Sequence, residues 1–218
     1  MSSKLFRVWV KSTITIHRYE MATQMLDWND IKTEEYATAV RKLLTEGRRK
    51  PNNIFIVGEE GCGKSFLMDP LEDIYKVLTT PASKYGWADI ETDELEVVYL
   101  NDFRWGPENI GPDGTGLIEW DVLLRLLDGS TTKMKRPRNV FSSDALLPKS
   151  NTIPVFANGS ALVESIAFAN KKRREQDMMD MRWTVFYFKY RIPKAVRVHV
   201  PPCGSCFARL ALLGAQPN

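Results

Sequence analysis

A β-branched run, Ile54-Phe55-Ile56-Val57, leads directly into Gly58-Glu59-Glu60-Gly61-Cys62-Gly63-Lys64-Ser65. The second stretch fits G-x-x-x-x-G-K-[ST] without a mismatch, and nothing else in the chain limits its fold as strongly. A short run of bulky apolar residues is what a buried parallel strand looks like. Behind it, a loop of this pattern opens a helix, expected here from about Gly63. The glycines reach torsions that other residues resist and let the backbone come close to a phosphate. The loop N–H groups and the start of the helix together form an anion cradle. In this pattern Lys64 reaches the β- and γ-phosphates and Ser65 ligates Mg²⁺. ATP with Mg²⁺ is therefore the expected ligand, held by Gly58, Glu59, Glu60, Gly61, Cys62, Gly63, Lys64, Ser65 and Phe66. Glu59 and Glu60 are expected to turn their side chains to solvent. A chance match in a turn is the bland alternative, and the strand before and helix after it argue against that.

The 218 residues suffice for one α/β domain with a small appendage. Leu5 to Tyr19 alternates and reads as one or two strands, or as the tail of a preceding domain. Asp30 to Glu46 reads as a helix with an apolar stripe through Tyr36, Val40 and Leu43, capped by Asp30 and ended by Gly47. Pro70 is expected to kink or break the helix after the loop, before Leu71 to Leu78. Thr79 to Thr92 is polar and turn-rich. Further strands are expected at Val97 to Leu100, at Ile153 to Ala157 and at Arg182 to Tyr190. Glu119 to Leu127 reads as a short amphipathic helix stopped by Asp128-Gly129, and Ser130 to Ser143 as a basic hairpin. Alternating strands and helices predict an α/β fold: a central, mostly parallel sheet flanked by helices, with a small N-terminal helical part.

In such a sheet a magnesium site needs an acid at the end of a neighbouring strand. Asp102, after Val97 to Leu100, is the candidate metal ligand or water-orienting group. Its bland alternative is a turn cap. Asn158 ends the next strand, where an amide can sense the γ-phosphate; Asn-Gly is also an ordinary turn pair.

The series of motifs resembles superfamily 3 helicases, the compact ATPases of small DNA-virus replication initiators such as the parvovirus non-structural protein. The resemblance runs from about Ile31 to Pro193. It rests on the P-loop, Val97 to Phe103, Leu126-Leu127-Asp128-Gly129-Ser130 with its basic sequel, Ile153 to Ser160, and Arg182-Trp183-Thr184-Val185-Phe186. It implies an AAA+-like P-loop NTPase fold, with residues 51–193 as the ATPase core, 1–50 carrying an oligomerisation-type helix and 194–218 as a tail. It implies that Lys64 and Ser65 are Walker A residues, that Asn101 and Asp102 hold the Walker B place, and that Asn158 is the sensor. By the same resemblance Arg182 is an arginine finger acting on the neighbouring subunit's ATP in a homo-oligomeric ring, a hexamer. Lys133, Lys135, Arg136 and Arg138 fall where the family's channel hairpin grips single-stranded DNA through its phosphates. One departure matters: the family usually has two adjacent acids in Walker B, and Asn101 takes the place of the first. Too little chain precedes Gly58 for an endonuclease domain, so a fragment, a stand-alone ATPase or a virus-derived relic is expected.

Composition narrows the remaining classes. No apolar run approaches the ~18 to 20 residues of a spanning helix, and no secretory signal is legible, so an intracellular protein without a membrane partner is expected, nuclear if it serves a DNA virus. The net charge of +3 permits nucleic acid without demanding it. Basic clusters lie at Arg48 to Lys50, Lys133 to Arg138 and Lys171 to Arg174, and a solvated face is the plain reading of each. Three cysteines are too few for a disulfide framework. His199, Cys203 and Cys206 have spacing suited to part of a zinc site, but no fourth ligand follows; a pair of free cysteines in a short tail is the plainer reading.

Two rivals to an ATP-driven motor stay open. One is a nucleotide-binding switch without turnover, which Asn101 favours. The other is a small-molecule kinase, for which no lid of arginines is clearly placed.

Overall fold

In the computed structural model, residues 16–80, 95–103, 120–131, 133–134, 145–146, 153–160, 177–194 and 200–213 are described. The basic cluster at Lys171 to Arg174 and His199 lie outside them. Helix α1 (Ile16–Asp27) and α2 (Thr33–Glu46) precede strand β1 (Asn53–Gly58). Helix α3 (Lys64–Met68) runs on into a 3₁₀ turn (Asp69–Leu71), followed by β2 (Val77–Thr80), β3 (Val97–Leu100) and α4 (Trp120–Leu127). A small pair, β4 (Lys133–Met134) and β5 (Ala145–Leu146), precedes β6 (Val155–Gly159), β7 (Trp183–Phe188) and α5 (Gly204–Ala211).

Five strands form one sheet in the order β2-β3-β6-β1-β7. Every neighbouring pair is parallel, with Ile54 opposite both Phe156 and Thr184. The expected α/β architecture is thus present, with the sheet wholly parallel among the described residues.

Alternation along the strands divides the core in two. Ile54 and Ile56 of β1, Val97 and Tyr99 of β3, and Phe186 and Phe188 of β7 face α1, α2 and α5, where Leu26, Tyr36, Leu43, Phe207 and Leu210 complete one cluster. Phe55, Val98, Leu100 and Val155 face the other way, onto Leu123, Leu126 and Leu127 of α4 and onto Met179. Burial on both faces explains why the strands read as continuous apolar runs. Each such Leu or Ile, taken fully out of water, contributes about 1.5–3 kcal/mol. The result is a three-layer sandwich of helix, sheet and helix.

Several expectations need correction. Residues 16–19 belong to α1, not to a strand. Arg18, Ala22, Met25 and Leu26 are buried along one helical face, a 3.6-residue period that outweighs the β-branched residues before it. Asp30 does not cap α2: it has φ 58° in the preceding turn, and the N-cap is Lys32 without a side-chain bond. Gly47 does end the helix, its N–H donating to Leu43 O at 2.9 Å. The helix after the loop stops at Pro70 as expected, but Val77 to Thr80 form a parallel edge strand on β3 where helix and then turn were expected.

The basic run at Arg48 is only partly a solvated face: Arg49 and Lys50 are exposed, but Arg48 is buried. Arg48 is 2% exposed and donates to Ser130 O at 3.2 Å, while Lys50 pairs with Asp128 at 3.3 Å. The basic hairpin has an antiparallel base, Lys133 opposite Leu146, closing slightly beyond the expected Ser143. Its tip, with Lys135, Arg136 and Arg138, lies outside the described residues. Among the described residues no helix is long and apolar enough to cross a membrane.

Candidate functional site

Because the sheet is parallel, β1, β3, β6 and β7 all end on one edge, and β1 is the strand about which the chain order reverses. Clefts form outside the carboxyl ends of strands at such points. A cavity of about 790 Å³ opens there. Glu59, Glu60, Gly61, Gly63, Lys64, Ser65 and Phe66 form one wall; Asn101 and Asp102 after β3, Asn158 and Ser160 at β6, and Arg191 after β7 form the rest.

The loop takes its shape from its glycines and its lysine. Gly61 and Gly63 have φ of 79° and 92°, where a side chain is strained. A Cβ on Gly58 would lie 2.5 Å from Phe188 O and 2.7 Å from Cys62 Sγ, so only glycine lets β1 turn this close to β7. Lys64 Nζ donates to Gly58 O at 2.5 Å and to Glu59 O at 2.8 Å, tying the curl to its own base. A phosphate oxygen would offer the same ammonium a charged acceptor, and charge-assisted bonds are about twice as strong as neutral ones. Cys62 is 2% exposed and belongs to the core beneath the loop, whereas Glu59 and Glu60 are exposed.

The opposite wall is a closed hydrogen-bond network. The Asn158 amide donates to the Tyr99 hydroxyl and to Asn101 Oδ1, the latter at 3.1 Å, and its Oδ1 accepts from Asp102 N at 2.7 Å. Tyr99 in turn donates to Asn101 Oδ1 at 3.2 Å. Phe103 N donates to Asn158 O at 2.7 Å. Asp102 sits in this grip with φ 47°, a left-handed conformation that Asp tolerates better than most residues. Burial pushes the Tyr99 phenol far above its ordinary value, so it acts as a neutral hydroxyl, within bonding reach of Ser65. The oxygen of Asn101 therefore faces inward to Tyr99 and Asn158.

Lys64, Ser65, Asp102 and Asn158 are thus brought to one cavity. Arg182 is not. It opens β7, on the opposite edge of the sheet, is 6% exposed, and donates to Asp128 Oδ2 at 2.9 Å and to Met178 O at 2.7 Å. Lys133 lies in β4, paired with β5. Cys203 and Cys206 lie at the start of α5, and among the described residues no cluster of three or more His, Cys, Asp or Glu could hold a metal.

Arg191, Ser160 and Tyr99 are the cavity and network residues that the sequence reading passed over. The signal for Arg191 was available. It lies just past the end of β7, as Asp102 lies just past β3, and in a parallel sheet both positions reach the same rim. Its backbone is pinned on either side: Tyr190 N donates to Asn29 Oδ1 at 2.8 Å, and Ile192 N to Gly61 O at 3.1 Å.

No family model matches the chain, and no curated protein does. Solved structures of the NrS-1 C-terminal region are similar to it. One form covers 88% of this chain and 42% of that chain, with 12% identity and a TM-score of 0.47. Others cover 95% of this chain, with 12% and 13% identity and a TM-score of 0.48. The chain spans less than half the length of those structures.

Proposed function

We propose that the chain binds a nucleoside triphosphate with magnesium in this cavity and couples its hydrolysis to movement along single-stranded nucleic acid, in the manner of superfamily 3 helicases. The convergence of Lys64, Ser65, Asp102, Asn158 and Arg191 on one rim of the sheet carries the nucleotide part of this reading. The residues fit such a ligand: the volume of about 790 Å³ lies within the roughly 300–1,000 Å³ of small-molecule sites. Lys64 and Arg191 bring two cations to the lining, Asp102 and Asn158 a carboxylate and an amide, and Glu59 and Glu60 are exposed at its rim.

Lys64 exchanges loop carbonyls for phosphate oxygens, and Arg191 adds a second positive charge from the same chain. Ser65 and Asp102 are the groups that would hold magnesium, which when bound neutralises phosphate charge. Asn158 fixes the backbone that presents Asp102. The motor part rests on the sequence: a ring of subunits, the hairpin cations Lys133, Lys135, Arg136 and Arg138 on the phosphates of single-stranded DNA, and Arg182 acting across the junction. That last role requires the pair with Asp128 to open.

The test of the nucleotide part is equilibrium binding of Mg·ATP to the wild type and to Lys64→Ala, with binding expected only in the former. The test of the motor part is mass in solution with an ATP analogue and single-stranded DNA. A protein that binds ATP and stays monomeric under those conditions sinks it. A second reading, a nucleotide switch without turnover, is favoured by Asn101, whose neutral amide stands where an acid is usual. Absence of phosphate release with DNA present, against the Lys64→Ala control, would select it.

A further inference from the structure

The second cysteine-bearing feature of the chain lies outside the cavity, where Val200-Pro201-Pro202 leads into α5. Cys203 is the N-cap of this helix, and its sulfur accepts from Cys206 N at 3.2 Å. The two sulfurs are 2.6 Å apart, and Ser205 Oγ is 3.2 Å from that of Cys203. No disulfide joins them. The pair is asymmetric: Cys203 is partly exposed, while Cys206 is 6% exposed on the inner face of α5 beside Phe207 and Leu210.

Both flanks of the pair are fixed. Gly204 donates its N–H to Asp73 Oδ2 at 3.0 Å, and a Cβ there would lie 2.8 Å from Ile74 Cγ1, so glycine is what allows the helix start to seat on this segment. Arg18, 2% exposed, donates to Val200 O at 2.5 Å and to Pro201 O at 2.6 Å. The sulfurs are therefore held together by packing that does not depend on a bond between them.

The two thiols differ chemically as well. Burial opposes ionisation of Cys203, but the hydrogen bonds from Cys206 and Ser205 and the Arg18 charge outweigh it and bring its thiol below the ordinary value. Burial, and then the Cys203 sulfur, push Cys206 up to about 11. An accessible thiol that ionises easily beside a buried one that stays protonated is the division that thiol–disulfide exchange uses.

We propose that Cys203 and Cys206 are a redox-active dithiol that reduces a disulfide co-substrate and closes reversibly into an intrachain disulfide. The Cys203 thiolate attacks one sulfur of R–S–S–R, forming a mixed disulfide and releasing one R–S⁻. Cys206 passes its proton to the released thiolate and attacks Cys203 Sγ. The Cys203–Cys206 bond forms as the mixed disulfide breaks, and the second R–S⁻ leaves to take up the proton first lost by Cys203. Two electrons pass from the pair to the co-substrate, which ends as two thiols. The proposal is independent of the nucleotide reading.

The test uses the full chain equilibrated at neutral pH with mixtures of oxidised and reduced glutathione, quenched in acid and read by intact mass and peptide mapping. The expected result is loss of two hydrogen masses mapped to the peptide holding Cys203 and Cys206, reversed by excess reduced glutathione. Cys206→Ser is expected to stop at one glutathione adduct on Cys203. Two outcomes overturn the proposal. In one, both thiols stay free in the native wild type at every ratio, with a disulfide forming only after denaturation. In the other, they are blocked by a metal until a chelator is added.

Discussion

Asn158 is 1% exposed, and both ends of its amide are used: toward Tyr99 and Asn101 on one side and Asp102 N on the other. A buried polar group left without its partner costs about 1–3 kcal/mol. Asn158→Ala is therefore expected to lower unfolding stability by about 2–4 kcal/mol, measured in urea, since it takes the acceptor from Asp102 N in a left-handed turn and one of the partners from the Tyr99 hydroxyl and from Asn101 Oδ1. Asn101→Asp is a gentler probe. The Asn101 oxygen acts only as an acceptor from Tyr99 and Asn158, a role a carboxylate keeps. The variant is expected to fold and, if the neutral amide limits turnover, to release phosphate faster than wild type. Unchanged release would put the limit elsewhere. Cys203 offers a pH readout. Alkylation follows the thiolate, so a thiol held below its ordinary value reaches half-maximal rate at lower pH than an unstructured cysteine peptide. Cys206, raised to about 11, is expected to react more slowly than Cys203 at every pH in that range. Site-resolved mass spectrometry over pH 6 to 10 separates the two; a Cys203 midpoint at or above that of the peptide contradicts the expectation.

At the scale of elements, Arg182 has a place within its own chain beside the role across a subunit junction that the resemblance implies. In the fold it joins α4 to β7: its guanidinium holds Asp128 at the end of α4, and its carbonyl accepts from Asn53 Nδ2 of β1 at 2.9 Å. Arg182→Ala is expected to cost about 2 kcal/mol, in keeping with the worth of a charge-assisted bond at a largely buried site. Lys50, still near Asp128, limits the loss. A double-mutant cycle with Asp128→Ala checks that the loss comes from the pair; additive effects would disprove it. What could be read from sequence follows the same division. β1, β3 and β6 were legible because burial on both faces makes them largely apolar, and β7, an edge strand with Tyr187 exposed, because it is dense in aromatic and β-branched residues. The edge strand β2 was not, since Val77-Leu78-Thr79-Thr80 is short and mixed and gains its state from pairing with β3. The start of α1 was misread because Ile14 and Ile16 resemble strand residues until the buried stripe from Arg18 to Leu26 is seen. At the site, the loop lysine and the ends of β3 and β6 were legible as strand-to-loop junctions. The Tyr99 network was not, because hydrogen bonds between β3 and β6, far apart in sequence, leave no local pattern.

At the scale of the molecule, the cavity is built from chain segments far apart in sequence, which makes ligand binding a stabiliser of the whole sheet. A ligand bound only by the native state adds RT ln(1 + [L]/Kd), about 2.7 kcal/mol at a hundredfold excess over Kd. In a domain of this size 1 kcal/mol moves Tm by about 2–4 °C, so saturating Mg·ATP is expected to raise it by roughly 5–10 °C. Three variants divide the causes. Lys64→Ala removes the ammonium that would face the phosphates and is expected to lose the shift. Arg191→Ala removes an exposed cation at the rim and is expected to need about tenfold more nucleotide for the same shift, the equivalent of about 1.4 kcal/mol. Arg182→Ala lowers Tm without ligand yet keeps the shift, because its guanidinium lies on the far edge of the sheet. The contrast between the two arginines decides the geometry. If Arg182→Ala abolished the shift in a monomer while Arg191→Ala left it intact, the nucleotide would not lie at the carboxyl ends of β1, β3 and β6, and the cavity would have to be assigned to another ligand.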